Sequence, residues 1–552
     1  MTEAPPRRIE YDGSPVAVRP GETLLAALTR ARGPILQRSV RYHRPRGAFC
    51  GVGQCTGCLV RVNGRPNVRA CRYVPADGDR ATTENAWPSV RFDVLGAIDL
   101  LFPSGVDTLR GFRRPAWATG AYQRVVRRLA GYGALPSVDA VAAREAPAEP
   151  RSVDALVIGA GTSGRAAATR LVAAGVRPLV VDRNLTVPSI SGAEMLDATT
   201  VAFLPPPSPG SPGAFEVVAV REPTRGLLVR TRSVVVATGA YDAGLLFGDS
   251  DRPGVLTAEG ALALAGTAGD PPFRRAIVFG GGPRAGELVE RFGPLLAAVV
   301  APGDIPPDVV RAASDRGIRL YPRSLLLAAN GRRRVRSVEL KARGGGPRFS
   351  LAGDALLLAH RRVPHAQLFF QAGARTEWRS GGGAYFPEVD PGGATSVPGL
   401  YAVGPAAGFS PGASAASGER AAGRIVGEPP SSEPLPRVAV AGRTELDGYY
   451  RELLRAPRVG RWIACPCEDV LFDEVEAAHR RGYRGLEVVK RYSGLGTGLC
   501  QGRYCVPDAL LLLAILEGRA PPDVGYLTQR PPTFPVPIAA LASLPTPEGA
   551  PP

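Results

Sequence analysis

The chain has 552 residues, 45% hydrophobic and 21% charged, a globular composition with length for roughly three or four domains. Its net charge is +17, but Lys occurs only at 341 and 490, and the Arg residues are scattered without a basic tract or interleaved aromatics, which argues against nucleic-acid binding. Residues 1–10 have no apolar core of the kind a signal peptide needs, and the densest apolar run, Ala509 to Leu516, falls far short of the roughly 20 residues of a membrane span, so a cytoplasmic chain without a transmembrane segment is expected.

In chain order, Ile9–Tyr11, Asp12-Gly13 and Val16–Val18 read as a hairpin, and Leu24, Leu25 and Leu28 give residues 22–31 a helical face. Next come Cys50, Cys55, Cys58 and Cys71, spaced C-x4-C-x2-C-x12-C. The first three match the plant-type [2Fe–2S] spacing, and Gly51, Gly53 and Gly57 let a loop wrap a cluster with its amides toward sulfur. Zinc is the rival metal, and disulfides are not expected in the cytoplasm. Residues 72–150 read as a connecting arm anchored by Trp87, Phe92, Leu100–Phe102 and Trp117, with a basic helix over 122–129 and an Ala/Pro-rich linker over 136–150.

From Val153 to Asp182 the sequence predicts strand, glycine turn, helix, strand and acid. Ala155–Ile158 is a buried parallel strand. In Gly159-x-Gly161-x-x-Gly164, Gly159 makes the turn, Gly161 lets a pyrophosphate approach, and Gly164 lets helix pack on strand. Thr162 opens the helix whose N-terminus would face phosphate, and Asp182, 18 residues past Gly164, is placed for an adenosine ribose.

After a Pro/Ser/Gly loop at 205–212, the apolar strand Val234–Val236 runs into the small-residue turn Ala237-Thr238-Gly239. Ala276–Phe279 and Gly280-Gly281-Gly282-Pro283 form a second strand–glycine–helix unit. Its next strand, Leu295–Val300, ends at Ala301-Pro302, without the acid or Arg that a nicotinamide dinucleotide's ribose would need, so NAD(P) binding and a purely structural role stand as equal alternatives. Leu400–Val403 then returns to the first nucleotide domain through Gly404-Pro405, followed by a helix at Ser414–Ile425 and a linker at 428–436.

The last part carries Cys465, Cys467, Cys500 and Cys505, spaced C-x-C-x32-C-x4-C, with two short helices between the pairs and a helix beginning near Pro507. The eight cysteines thus divide into two quartets, with zinc again a rival for the second. The four histidines, 43, 360, 365 and 479, have no spaced partner, and no catalytic residue is assigned.

RSVRYHRPRGAFC, GRPNVRAC and NAWPSVRFD over residues 8–90 resemble the N-terminal domain of the alpha chains of heterotetrameric sarcosine oxidases. CPCEDV, VKRYSGLGTGLCQGRYC and RPPTFPVPIAALA resemble the C-terminal [2Fe–2S] domain of a sister group of opine oxidases, hydrogen cyanide synthase and dye-linked proline and hydroxyproline dehydrogenases. The resemblance implies an α/β multidomain fold with a two-dinucleotide-binding, Rossmann-like flavoprotein core, a ferredoxin-like [2Fe–2S] domain before it and a small helical [2Fe–2S] domain after it. The expected limits are 1–90 for the ferredoxin-like domain, 91–150 for the arm, 151–265 and 351–430 for the nucleotide domain, 266–350 for the second Rossmann-like domain, and 431–552 for the C-terminal domain.

The resemblance further implies an alpha-type subunit that receives electrons from a beta-type amino-acid-oxidase-like flavoprotein in a hetero-oligomer and passes them to an acceptor. Two [2Fe–2S] clusters and FAD are the expected cofactors, with another adenine nucleotide such as ATP in place of FAD, NAD(P) on the second unit and FMN at the partner interface left open. Gly404-Pro405 replaces the Gly-Asp of such flavoproteins, and the Gly pair expected soon after the ribose acid is missing, so the isoalloxazine end departs from the pattern. The alternatives are a self-contained NAD(P)H-dependent reductase and a non-catalytic iron–sulfur scaffold.

Overall fold

The computed structural model describes residues 7–101, 120, 148–207, 214–221, 225–438 and 443–544. Trp117, the basic helix at 122–129, most of the 136–150 linker and part of the 205–212 loop lie outside them. The chain divides into two compact units, both discontinuous in sequence: residues 1–136, 242–361 and 444–526 form the first, and 137–241, 362–443 and 527–552 the second.

The first unit begins with the predicted hairpin. Arg7–Tyr11 pairs antiparallel with Ser14–Val18, and Asp12 and Gly13 both take positive φ, as a two-residue turn of this hand requires. Arg80–Thr82, Leu59–Val62 and Arg65–Arg69 extend this sheet to five strands. Helix Leu24–Arg32, capped by the Thr23 side chain, buries Leu24, Leu25 and Leu28.

A second sheet in this unit has the order Val255–Thr257, Ala355–Leu358, Ala276–Phe279, Leu296–Val300, Arg319–Tyr321, all parallel. Leu28 and Val60 share one apolar cluster with Leu264, Val278 and Leu357, so the N-terminal sheet and this Rossmann-like sheet are held by a common core. The C-terminal part of the unit is a short hairpin, Ile463–Cys465 with Val470–Leu471, followed by helices Phe472–Arg480, Leu486–Ser493 and Val506–Glu517.

The second unit is built on a parallel sheet ordered Glu194–Leu196, Pro178–Val181, Ala155–Ile158, Val234–Val236, Leu400–Ala402. Val157 sits opposite Val180 on one side and Val235 on the other, and all three are fully buried, as expected of strands covered on both faces. A separate four-stranded sheet joins Thr199–Phe203, Phe215–Arg221, Arg225–Thr231 and Glu149–Ser152.

The sheets divide the chain differently from the sequence limits. Val255–Thr257 and Ala355–Leu358 both belong to the second Rossmann-like sheet, so that sheet begins before 266 and ends after 350. Residues 527–544 do not stay with the C-terminal cysteines: Thr533 donates its amide to Ala202 O at 2.8 Å and its hydroxyl to Val201 O at 2.7 Å, in the second unit. Apolar runs of equal character mark these strands, and nothing local in them tells which sheet each joins. Among the described residues, no helix is long and apolar enough to cross a membrane.

Candidate functional site

All eight cysteines are buried and none is in a disulfide. In the first quartet, Gly53 donates its amide to Cys71 Sγ at 3.1 Å, Gln54 and Cys55 donate theirs to Cys50 Sγ at 3.3 Å, and Gly57 donates to Cys55 Sγ at 3.4 Å. The turns that aim these amides need positive φ at Gly51 and Gly53. Cys50 interacts with Cys55 and Cys71, and Cys71 also with Cys58, so the loop gathers all four sulfurs. Burial raises Cys50, but donation from the neighbouring thiols and amides outweighs it and holds the group well below the usual thiol range.

The second quartet also closes. Cys467 pairs with Cys500, and Cys505 with Cys465, across the 32-residue insertion between the pairs. Cys500 is brought down to about 7 by its hydrogen bond with Cys467, against the opposing effect of burial. A donor set of four buried thiols with amides aimed at sulfur fits an iron–sulfur cluster.

Around both quartets runs a buried ionic network that the sequence did not disclose. Arg44 reaches Asp249 at 2.6 Å, Asp251 at 2.8 Å and Asp99 at 3.1 Å. Arg46 bridges Asp251 and Asp469, and Asp469 Oδ2 also accepts the amides of Arg41 at 2.9 Å and Tyr42 at 3.2 Å. His43 Nδ1 meets Asp93 Oδ2 at 2.9 Å, so this histidine does have a carboxylate partner. The density of cations in Arg41–Arg46 was the available signal; the carboxylates that meet them lie far away in sequence.

In the second unit, the structure brings together Gly159, Gly161, Thr162, Gly164, Asp182, Thr238, Gly239 and Gly404. Asp182 Oδ2 accepts the Ala160 amide at 2.6 Å and its Oδ1 the Asn184 amide at 2.7 Å, which pins the acid beside the glycine turn. A Cβ at Gly164 would stand 1.8 Å from Gly159 O, whereas one at Gly161 would meet nothing within 4 Å, so Gly161 borders open space. Helix Thr162–Ala173 has no side-chain cap, and Thr238 Oγ1 is buried without a partner. An adenine nucleotide's phosphates fit this set of unused donors. Gly404 has φ +60° and packs on Ser163, where a Cβ would come within 2.1 Å of Oγ; its amide donates to Ser417 Oγ at 2.9 Å.

The glycine turn of the second Rossmann-like sheet is more crowded. A Cβ at Gly281 would meet Ala301 Cβ at 3.0 Å and Asp304 O at 3.2 Å. Pro283 occupies the first turn of its helix, and Arg284 is tied to Asp242 at 3.1 Å and Glu287 at 2.5 Å.

Residues 5–86 match the family of 2Fe-2S iron-sulfur cluster binding domains, and residues 460–544 match the sarcosine oxidase A3 domain. The alpha chain of sarcosine oxidase from Rhizobium meliloti (strain 1021) is 30% identical over 588 residues, spanning 97% of this chain and 57% of its own. Its counterpart in the opine oxidase of Agrobacterium tumefaciens (strain Ach5) is 29% identical, spanning 71% of this chain and 92% of its own. The chain is similar to the alpha chains of sarcosine oxidases and the A chains of opine oxidases. It covers little more than half of the R. meliloti sarcosine oxidase chain. The crystal structure of L-proline dehydrogenase from P. horikoshii shares the fold, with a TM-score of 0.68 over 98% of both chains at 20% identity. The resemblance and the fold class implied by the RYHRPR and CQGRYC segments are therefore borne out, and the N-terminal domain matches a 2Fe-2S domain.

Proposed function

We propose that this chain is the electron-transfer subunit of a heteromeric amine or amino-acid dehydrogenase or oxidase. The observation that carries this reading is the pair of closed, buried four-thiol sites in one compact unit of a chain whose relatives are named for amine-type substrates. When bound, [2Fe–2S] clusters supply one-electron transfer. In this reading Cys50, Cys55, Cys58 and Cys71 hold one cluster and Cys465, Cys467, Cys500 and Cys505 the second. Their bonded amides stabilise the more negative, reduced state.

In the other unit, Gly161 and the uncapped helix N-terminus receive the pyrophosphate of FAD, or of another adenine nucleotide such as ATP, while Asp182 accepts from the ribose and Thr238 Oγ1 turns to the ligand. The crowding at Gly281 favours a structural role for the second Rossmann-like sheet over NAD(P) binding. Oxidation of the CH–NH bond is assigned to a beta-type flavoprotein partner, since the relatives are named as subunits.

The test is to purify the chain alone and with a co-expressed partner. Iron and sulfide for two clusters, a released adenine nucleotide, and amine-dependent dye reduction only in the complex are expected. Amine-dependent dye reduction by the single chain would overturn the division of labour. Zinc without sulfide would overturn the clusters.

A further inference from the structure

The two quartets touch through the residues next to their cysteines. Tyr504, which precedes Cys505, sends its hydroxyl to Gln54 Oε1 at 3.0 Å. Gln54 in turn donates its backbone amide to Cys50 Sγ at 3.3 Å. The Tyr504 ring stands edge-on to Phe49, the neighbour of Cys50, with centroids 5.0 Å apart at 84°.

A second approach runs in the opposite sense. Thr56, which follows Cys55, lines one pocket together with Cys467, and the Gln37 side-chain amide binds the Thr56 carbonyl. Cys55, Thr56, Tyr504, Cys467 and Cys505 line one mainly apolar pocket. Tyr504 and Gln54 are 6% and 1% exposed, so bulk water does not compete for their hydrogen bond.

We propose that Tyr504 and Thr56 form a reciprocal clasp through which each cysteine loop positions a donor to the other loop's sulfur, coupling the two quartets electronically. This rests on the two-cluster reading above. Tyr504 acts as a positioning residue: it fixes Gln54, and thereby the amide on Cys50. Thr56 acts directly on Cys467. An electron lost at one quartet is gained at the other; no bond forms or breaks, and Tyr504 keeps its proton and is neither oxidised nor reduced.

The physical basis is that hydrogen bonds to cluster sulfurs favour the reduced state, so losing one lowers the reduction potential. The crossed arrangement makes a specific demand. A change in the C-terminal loop at Tyr504 should act on the N-terminal site, and a change in the N-terminal loop at Thr56 should act on the C-terminal site.

The experiment is an EPR-monitored redox titration of the full chain, wild type against Tyr504→Phe, Gln54→Met and Thr56→Val, with iron and sulfide measured in each. Cys58→Ser and Cys467→Ser assign which signal belongs to which quartet. Tyr504→Phe and Gln54→Met should lower the potential of the N-terminal signal, Thr56→Val that of the C-terminal signal, all with iron content kept. Tyr504→Phe retains the ring, so folding is preserved. Two assembled clusters whose potentials do not move in any of the three variants would overturn the clasp alone. Wild-type protein without two clusters would overturn the cluster reading and the clasp with it.

Discussion

Asp182 Oδ2 lies 2.6 Å from the Ala160 nitrogen, so the acid at the end of one strand is anchored to the glycine turn at the end of its neighbour. The contact sets the spacing between the proposed ribose acceptor and the proposed phosphate loop. It also separates two glycines whose sequence roles look alike. A side chain at Gly161 enters open space, and one at Gly164 collides with Gly159 O.

Gly161→Val should therefore fold and fail to bind. Its thermal midpoint should stay close to that of the wild type, while the adenine nucleotide released on denaturation disappears. Gly164→Val should lower the thermal midpoint by several degrees, because helix Thr162–Ala173 is forced off its strand. Equal nucleotide release from Gly161→Val and wild type would refute the placement of the pyrophosphate.

Cys58→Ser and Cys467→Ser should each remove about half of the iron and sulfide, since the thiols divide into two closed groups of four. Loss of all iron in either variant would mean that the quartets do not assemble independently.

Arg46 faces Asp251 and Asp469, whose side chains are 1% and 0% exposed. Arg46→Met would leave Asp469 buried without its ion-pair partner and Asp251 held by Arg44 alone, a loss of about 3–5 kcal/mol. Arg46→Lys, which keeps the charge but not the fork, should lose less. Urea denaturation followed by the fluorescence of Trp462, buried in the same unit, reads the difference; equal midpoints for Arg46→Met and wild type would show that the network is energetically idle.

His360 has neither ring nitrogen hydrogen-bonded, and burial, helped by the charge of Arg361, holds it well below its ordinary value of 6.5. Above that pH both folded and unfolded chains carry a neutral ring. As the pH falls below 6.5, only the unfolded chain takes up the proton, so native stability declines and the loss levels off once the folded value is passed. The thermal midpoint should fall from about pH 7.5 to about pH 5.5, and His360→Leu should show a smaller fall. An identical fall in the variant would rule out this histidine as a source of the acid sensitivity.

Chemistry carried by local spacing was legible in the sequence. The Gly159–Asp182 unit needs only a strand, a turn, a helix and a strand in succession, and the structure has Ala155–Ile158, Thr162–Ala173 and Pro178–Val181 in that order. The cysteine spacings were equally plain, although closure of the second quartet depends on a fold-back that spacing cannot dictate. What stayed hidden was non-local. Arg44 meets Asp249 across 205 residues and Arg46 meets Asp469 across 423, and no periodicity links such positions. The neighbours of the cysteines, Tyr504 and Gln54, likewise meet across 450 residues.

The return of residues 527–544 to the second unit has a consequence for how the chain is made. Ser543 O accepts the Ala148 amide at 2.9 Å, and Gly226 can approach Ala540 O only because it lacks a side chain. During synthesis, the sheet that begins at Glu149 has to wait, one face uncovered, until residues 527–544 have left the ribosome. Ribosomes that stall or stop beyond Tyr526 would release a product with both cysteine quartets encoded and the nucleotide unit unsealed, a species that chaperones and proteases would meet first at that bare face.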